Sequence, residues 1–272
     1  MHFTYWDIHS HVQGKEYEED RDELLAALAA QGVGTIAVGV HEESSRAASA
    51  LAHTHKNVFA AVGQHPTDTR EHFDAKSFSL LAAEPRVVAI GECGLDYFRT
   101  DDITAARRRQ TPLFEAHIDL AARTRKPLMV HARPSRGTYD AYHEIIDILR
   151  SAKRTYGDAL TGNIHFFVGG VDEARAFFDL NFTVSFTAVI TFARDYDDAI
   201  RFAPRDRILT ETDSPYMAPA ARRGQRNDPW AVQDVMREIA LIRGEEEETV
   251  RRATVANAQR VFHIDATRTA SP

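Results

Sequence analysis

Eight short apolar runs, rich in β-branched residues, alternate along the chain with longer segments of helical periodicity. Such runs are typical of strands that are buried on both faces of a parallel sheet. The predicted strands are Tyr5–His9, Thr35–Val40, Val58–Gly63, Val87–Gly91, Pro127–His131, Asn163–Phe167, Phe182–Phe186 and Ile208–Asp213. Eight strand–helix repeats predict an α/β fold whose sheet closes into a (β/α)8 TIM barrel.

A single domain accounts for the length of the chain, because 272 residues are close to the ~250 that one such barrel needs. We expect residues 1–263 to form the barrel and residues 264–272 to form a C-terminal tail. A doubly wound open sheet is the alternative fold. Such a sheet usually carries a glycine-rich phosphate turn after its first strand, and this sequence has none there.

Charge and composition narrow the classes of function. The net charge of −7 is opposite to that of proteins that hold duplex nucleic acid mainly by charge. No apolar run approaches the ~18 residues of a membrane span, so we expect no membrane partner. The only cysteine, Cys93, cannot form an internal disulfide, and the N-terminus does not resemble a signal peptide. We therefore expect a cytoplasmic protein, either a monomer or a small homo-oligomer.

The segment Asp7-Ile-His9-Ser-His11 is the strongest local signal for a functional site. Side chains alternate between the faces of a strand, so His9 and His11 point the same way and can chelate one metal ion. Glu92, His131, His165 and Asp213 lie at or near the ends of four other predicted strands. Each has an ordinary structural explanation when taken alone. Because the carboxyl ends of barrel strands converge on one mouth, the six together predict a metal site.

Three further residues are expected to support this site. Asp7 follows the same alternation as His9 and is predicted to hydrogen-bond an imidazole ligand. Glu211 shares the face of Asp213 and is predicted to orient a ligand, with a structural ion pair as the alternative. His65, in the turn after the third predicted strand, is expected to contact substrate or a ligand. Its alternative is a hydrogen-bonded loop histidine.

Taken together, these segments resemble the TatD family of metal-dependent deoxyribonucleases. The similarity runs from about Asp7 to Phe262, and its most specific segments are Gly91-Glu-Cys-Gly-Leu-Asp-Tyr97 and Glu211-Thr-Asp-Ser-Pro-Tyr216. The resemblance implies that Glu92 bridges two divalent ions. It also implies a nuclease that acts on DNA, often from the 3′ end. The ligands that it implies are His9, His11, Glu92, His131, His165 and Asp213.

Two segments depart from the family pattern. His165-Phe-Phe-Val-Gly169 stands where the family usually has His-Cys-Phe-Ser-Gly, and the loop from Arg133 to Asp140 is atypical. Both departures leave the implied metal ligands in place. They change the surroundings in which a substrate would bind.

The predicted function is a metal-dependent hydrolase, a deoxyribonuclease that cleaves phosphodiester bonds as a 3′ exonuclease. Two divalent ions, Mg2+, Mn2+ or Zn2+, would activate the attacking water. Glu92 and Asp213 are the predicted catalytic residues, and Asp213 would take the proton from that water. DNA or another phosphoester would bind transiently. The arginines expected to clamp its phosphate, rather than to lie solvated at the surface, are Arg133, Arg223 and Arg226.

Two alternatives stay open on the sequence alone. An amidohydrolase that acts on a small cyclic amide or lactone shares the barrel and the His-x-His start. Such enzymes often place a carboxylated lysine where this chain has Glu92. The second alternative is a catalytically silent metal-binding barrel that serves as a scaffold, because a fold alone does not prove activity.

Overall fold

Eight parallel strands follow one another around one sheet in the order in which they occur along the chain. The computed structural model describes residues 3–69 and 72–264. Its strands are β1 (Tyr5–Ser10), β2 (Val33–Val38), β3 (Val58–Val62), β4 (Val87–Asp96), β5 (Leu128–Arg133), β6 (Gly162–His165), β7 (Phe182–Phe186) and β8 (Ile208–Thr210). Parallel pairing requires a crossover after each strand, and the intervening helical segments supply it.

Nine α-helices lie in the described part of the chain. They are α1 (Arg21–Ala30), α2 (Glu42–Thr54), α3 (Ala75–Ala82), α4 (Ile103–Thr124), α5 (Asp140–Tyr156), α6 (Val171–Asp179), α7 (Asp197–Phe202), α8 (Val232–Arg243) and α9 (Glu247–Val261). Helices α1 to α7 each connect two consecutive strands, and α8 and α9 follow β8. Within residues 3–69 and 72–264, no helix is long and apolar enough to cross a membrane.

Side-chain and backbone hydrogen bonds bring β1 against the end of β8. The hydroxyl of Thr210 donates to the carbonyl of Trp6 at 2.9 Å. Further along, the backbone N–H of Asp213 donates to the carbonyl of His9 at 2.9 Å. The sheet is thus a nearly closed barrel, which confirms the predicted fold class. Closure also brings the histidines of the first strand beside the acidic residues that follow the last one.

The core has two parts. The larger part lies between the strands and the surrounding helices, and the smaller part includes Trp6, Ile36 and Met129 from the strands with Phe262 just after α9. Ile264 belongs to this smaller cluster and is only 4% exposed, one residue beyond the predicted barrel boundary. The rest of the predicted tail, residues 265–272, lies outside the described residues.

Strand β4 is longer than the sequence predicts, because it continues past Gly91 to Asp96. Its register with β5 shifts between Ile90 and Cys93, so β4 carries one extra residue there. At Gly94 the φ angle is +137°, and a Cβ atom would lie 2.0 Å from the carbonyl oxygen of His131. Glycine therefore lets β4 run close beside β5 through this bulge.

Candidate metal centre

The six predicted metal-binding side chains meet at the carboxyl ends of the strands, with the buried carboxylate of Glu92 between two groups of histidines. Its Oε2 atom lies 3.5 Å from Nε2 of His9 and 4.0 Å from Nε2 of His11. Its Oε1 atom lies 2.7 Å from Nδ1 of His131 and 3.0 Å from Nε2 of His165. One carboxylate thus faces both groups, each with a different oxygen.

Asp213 completes the first of these groups. Its Oδ1 atom lies 3.4 Å from Nε2 of His11 and 3.8 Å from Nε2 of His9. The two Nε2 atoms are themselves 3.4 Å apart. Asp213 follows the end of β8 and has a φ angle of +53°, a left-handed conformation that asparagine and aspartate adopt more readily than most residues. This backbone turn directs the carboxylate toward the histidines of the first strand.

Acceptor oxygens on the far side of two of the rings favour a hydrogen on the nitrogen that faces away from Glu92. Nδ1 of His11 lies 2.9 Å from the carbonyl oxygen of Val38, which can only accept, so Nδ1 carries the hydrogen. Nδ1 of His165 lies 3.5 Å from the acceptor Oε1 of Glu211, which is within ion-pair distance but is not a hydrogen bond. In a neutral imidazole the other nitrogen then has a free lone pair. That nitrogen, Nε2 in both residues, faces the centre of the site.

The charges of the site favour cations. Burial alone would raise the pKa of Glu92, but the imidazoles of His65 and His165 outweigh it and hold this pKa well below its ordinary value. Burial opposes a positive charge on His165, yet the carboxylates of Glu92 and Glu211 raise its pKa well above the usual range. The pKa of Asp213 is lowered despite burial, chiefly by its hydrogen bond with His11. The buried carboxylates therefore stay ionised and attract positive charge.

Comparison with known proteins identifies the family. A family model described as TatD related DNase matches residues 6–263. The chain belongs to the TatD family. It is 37% identical over 268 residues to the metal-dependent hydrolase YcfH of Escherichia coli strain K12, covering 96% of this chain and 97% of YcfH. It is 29% identical over 270 residues to the 3'-5' ssDNA/RNA exonuclease TatD of Salmonella typhimurium, covering 95% of this chain and 99% of that protein.

The crystal structure of YjjV, a TatD homolog from Escherichia coli, has the same fold. It superimposes with a TM-score of 0.87 at 26% sequence identity, and the match covers 97% of this chain and 100% of YjjV. The TatD family resemblance seen in the sequence is thereby confirmed. The chain is a TatD-type metal-dependent hydrolase.

The donor set of this TatD protein fits divalent metal ions. Its histidines and carboxylates form groups whose possible ligand atoms lie within 4.8 Å of one another, among them His9, His11 and Glu92, and Glu92, His131 and His165. Among the described residues, buried Nδ1 of His9 has no hydrogen-bond partner, and the His9 ring stacks on that of His165 with the centroids 3.8 Å apart. Imidazole nitrogen suits Zn2+ better than Mg2+, which prefers oxygen.

Asp7 supports the site through the backbone. Its carboxylate accepts hydrogen bonds from the backbone N–H and the hydroxyl of Thr212, each at 2.8 Å, and from the backbone N–H of His9 at 3.3 Å. This differs from the expected hydrogen bond to the imidazole ring. The register between β1 and β2 shifts between Asp7 and Ser10, so the simple alternation of faces from Asp7 to His9 is interrupted. Asp7 instead lies opposite Thr35.

Glu211 lies beside His165, where the predicted orienting role requires it. Besides its contact with Nδ1 of His165, it accepts hydrogen bonds from the hydroxyl of Ser185 at 2.9 Å and from the backbone N–H of Phe166. The side chain is completely buried. Its carboxylate is therefore fixed by two hydrogen bonds, and its orienting role toward His165 stays a prediction.

His65 faces the other side of the centre. Its Nε2 atom lies 3.4 Å from Oε1 of Glu92, and its Nδ1 accepts the backbone N–H of Thr67 at 3.1 Å. A neutral His65 therefore carries its hydrogen on Nε2, which makes it a hydrogen-bond donor toward the centre. Its contact with substrate stays a prediction.

The three predicted phosphate-binding arginines have different surroundings. The guanidinium of Arg133 lies 4.3 Å from the ring centroid of Phe98, and that of Arg223 lies 4.5 Å from the ring of Phe192. Among the described residues, neither has a carboxylate within ion-pair distance. Arg226 is paired with Asp20 through two hydrogen bonds. A phosphate contact by Arg226 would therefore require this pair to break.

Sequence reasoning missed one acidic residue of the site. Oδ2 of Asp96 lies 3.1 Å from Nε2 of His131, on the side of the ring opposite Glu92. Asp96 belongs to the Gly91–Tyr97 segment that carries the family resemblance, which was the available signal. It could not be placed because the predicted strand ended at Gly91.

Proposed function

We propose that this protein is a nuclease that uses two divalent ions to remove nucleotides from the 3′ end of single-stranded DNA or RNA. The observation that carries the proposal is the position of Glu92, whose two oxygens face two separate histidine groups. When bound, two such ions would polarise a phosphoryl oxygen and lower the pKa of water to near neutrality. The related Salmonella protein named a 3'-5' ssDNA/RNA exonuclease supports the choice of substrate.

The residues around the centre have complementary tasks in this proposal. Asp213, held ionised beside His11, would accept the proton of the attacking water. His65 would donate a hydrogen bond from Nε2 to the substrate phosphate. Arg133 and Arg223 would bind phosphates of the strand with charge-assisted hydrogen bonds.

The mouth of the barrel also suits the bases of an unpaired strand. Among the described residues, five of the seven large apolar side chains that are exposed lie on loops that follow β4, β5, β7 and β8. Aromatic rings near arginines bind single-stranded nucleic acid by stacking, without selecting a sequence. The five side chains are Phe98, Tyr139, Phe192, Tyr216 and Met217.

The proposal includes the cellular setting expected from the sequence. A single buried thiol, Cys93, suits a reducing compartment such as the cytoplasm. A monomer or a small homo-oligomer can do this chemistry, because all six proposed ligands come from one chain. Light scattering of the purified protein at several concentrations measures the oligomeric state.

The test compares substrates after the metal has been removed and restored. Chelator-treated protein is loaded with Mn2+, Zn2+ or Mg2+ and given bis-p-nitrophenyl phosphate, a 5′-labelled single-stranded oligonucleotide, its duplex, and a cyclic amide. We expect stepwise shortening of the single strand from a free 3′ end and no shortening when that end is blocked. Hydrolysis of the cyclic amide alone would favour an amidohydrolase. Tight metal binding with no hydrolysis would favour a silent barrel.

A further inference from the structure

We propose that Asp96 is a positioning residue that fixes the ring of His131 in the orientation and tautomer that metal binding requires. The inference rests on the proposed metal centre. Nδ1 of His131 lies 2.7 Å from Glu92, and Nε2 lies 3.1 Å from Oδ2 of Asp96. The ring is therefore held between two carboxylates, one at the centre of the site and one behind it.

Asp96 is itself held rigidly. It is 1% exposed, and its second oxygen, Oδ1, accepts the backbone N–H groups of Phe98 at 3.0 Å and Arg99 at 3.1 Å. Its backbone is bound by Gln110 of α4, whose side chain accepts the Asp96 N–H at 2.8 Å and donates to its carbonyl at 2.9 Å. Gln110 is also 1% exposed. The orienting carboxylate is thus anchored to a helix outside the barrel.

The two oxygens of Asp96 have separate tasks, and only a carboxylate can do both. A carboxylate accepts hydrogen bonds, so Oδ2 stabilises the His131 tautomer with its hydrogen on Nε2. The lone pair of that tautomer is on Nδ1, the nitrogen on the Glu92 side of the ring, where it would bind the metal ion. An asparagine has a single oxygen. If that oxygen still accepts the hydrogen bonds of the two backbone N–H groups, the NH2 group of the asparagine faces His131. It then stabilises the opposite tautomer, which has its hydrogen on Nδ1 and cannot bind metal through that nitrogen.

A second explanation for Asp96 is direct metal binding. Possible ligand atoms of His65, Asp96 and His131 lie within 4.8 Å of one another. Against this explanation, Nδ1 of His65 accepts the N–H of Thr67, which places hydrogen on the nitrogen that such an ion would need. The number of ions bound per chain distinguishes the two explanations.

The experiment compares Asp96→Asn with Asp102→Asn, a matched control at the N-cap of α4, where asparagine caps as well as aspartate. Zn2+ and Mn2+ affinities are measured at pH 7 by chelator competition, and ions per chain by elemental analysis. The wild type and Asp102→Asn should bind two ions. In Asp96→Asn the affinity for one ion should be unchanged, and the affinity for the other should fall about 10- to 100-fold.

The tautomer supplies a readout that does not depend on activity. In protein with 15N-labelled histidine, loaded with Zn2+ at a concentration that fills both wild-type sites, His131 should carry a hydrogen on Nε2 and none on Nδ1 in the wild type, whereas Asp96→Asn should retain a hydrogen on Nδ1. If Asp96→Asn does not fold, Gln110→Met serves instead, because it removes both backbone bonds but keeps the carboxylate. Gln110→Met should lower the affinity for the same ion. If Gln110 had only a structural role, the substitution would lower the unfolding temperature and leave the metal affinity unchanged.

Several outcomes overturn the inference. If Asp96→Asn binds two ions tightly and keeps the wild-type tautomer, the position of His131 does not depend on Asp96. If Asp96→Asn does not fold, unchanged metal affinity in Gln110→Met leads to the same conclusion. Three ions in the wild type and two in Asp96→Asn would make Asp96 a ligand. Absence of phosphodiester hydrolysis by the wild type would overturn the proposed function but not this inference, because affinity and tautomer are measured without substrate.

Discussion

Nε2 of His117, in the middle of α4, accepts the backbone N–H of Gln64 at 2.9 Å. The other ring nitrogen, Nδ1, lies 2.8 Å from the carbonyl oxygen of Leu113, so it carries the hydrogen. A neutral histidine is therefore required to connect the helix to the turn that presents His65. Because His117 is completely buried, desolvation lowers its pKa to about 4.

This histidine predicts a loss of stability in mild acid. Its pKa is lower in the folded chain than the ~6.5 of an unfolded one, so the unfolded state binds the proton more tightly. The stabilisation is complete above pH ~6.5 and declines as the pH falls toward 4. Between pH 7 and 4.5 we expect about 2–3 kcal/mol of the free energy of unfolding to be lost through this group, as measured by urea denaturation.

The control keeps the hydrogen bond but removes the titration. His117→Gln retains an acceptor for the Gln64 N–H, so its stability should depend less on pH over this interval. The same change at His53, which is exposed on α2, should leave the wild-type dependence. Equal pH dependence in all three proteins would show that His117 does not titrate as described.

Local sequence patterns predicted the architecture and the placement of most of the site, because both depend on short-range regularities. Alternation along β1 placed His9 and His11 together, and convergence of strand ends accounts for the meeting of His131 with His165. Predictions based on the alternation of side chains along a strand were wrong where the backbone is irregular. The register shifts in β1 and β4 moved Asp7 away from the imidazole of His9 and extended β4 to Asp96.

Contacts between parts of the chain that are far apart in sequence could not be predicted from local sequence patterns. Arg226 and Asp20 are separated by 206 positions, and no local pattern relates them. The same holds for Gln110, a buried residue of α4 that hydrogen-bonds the backbone of Asp96 in β4. Such pairs depend on how helices and loops pack around the barrel, whereas strand order and strand-end positions depend only on the repeat itself.

Replacing the central carboxylate should abolish metal binding and hydrolysis together. Glu92→Gln removes the charge that both histidine groups face, which is worth several kcal/mol of cation binding, so we expect a rate loss of about 10^3-fold or more. Elemental analysis after dialysis and hydrolysis of bis-p-nitrophenyl phosphate measure the two effects. The control is Glu248→Gln on α9, whose carboxylate pairs with Arg251 and Arg252. Full metal content in Glu92→Gln would contradict a bridging role.

Asp213→Asn should reduce the rate far more than the stability. Loss of the proton acceptor is expected to lower kcat by about 10^2- to 10^4-fold. Asparagine tolerates the left-handed backbone at this position, so the free energy of unfolding should change little. Asp213→Val, which is β-branched, should add about 1–2 kcal/mol of backbone strain to the same rate loss. A near-normal rate in Asp213→Asn would exclude Asp213 as the base.

Arg133 and Arg226 should respond differently to the same substitution. Arg133 has no carboxylate partner within residues 3–69 and 72–264, so its guanidinium is available for a phosphate. A charge-assisted hydrogen bond is worth about 1.5–3 kcal/mol, so Arg133→Gln should raise KM for a single-stranded oligonucleotide about 10-fold or more. Its kcat should change little, because the metal ligands stay in place.

Arg226→Gln instead breaks the exposed ion pair with Asp20 and should leave KM near its wild-type value. Exposed pairs contribute little to stability, so the unfolding temperature should fall only slightly. Steady-state kinetics on the same oligonucleotide at two salt concentrations separate the variants, because salt weakens phosphate binding by Arg133. If KM rises equally in both, the Asp20 pair opens when substrate binds, and Arg226 contacts phosphate as the sequence predicts.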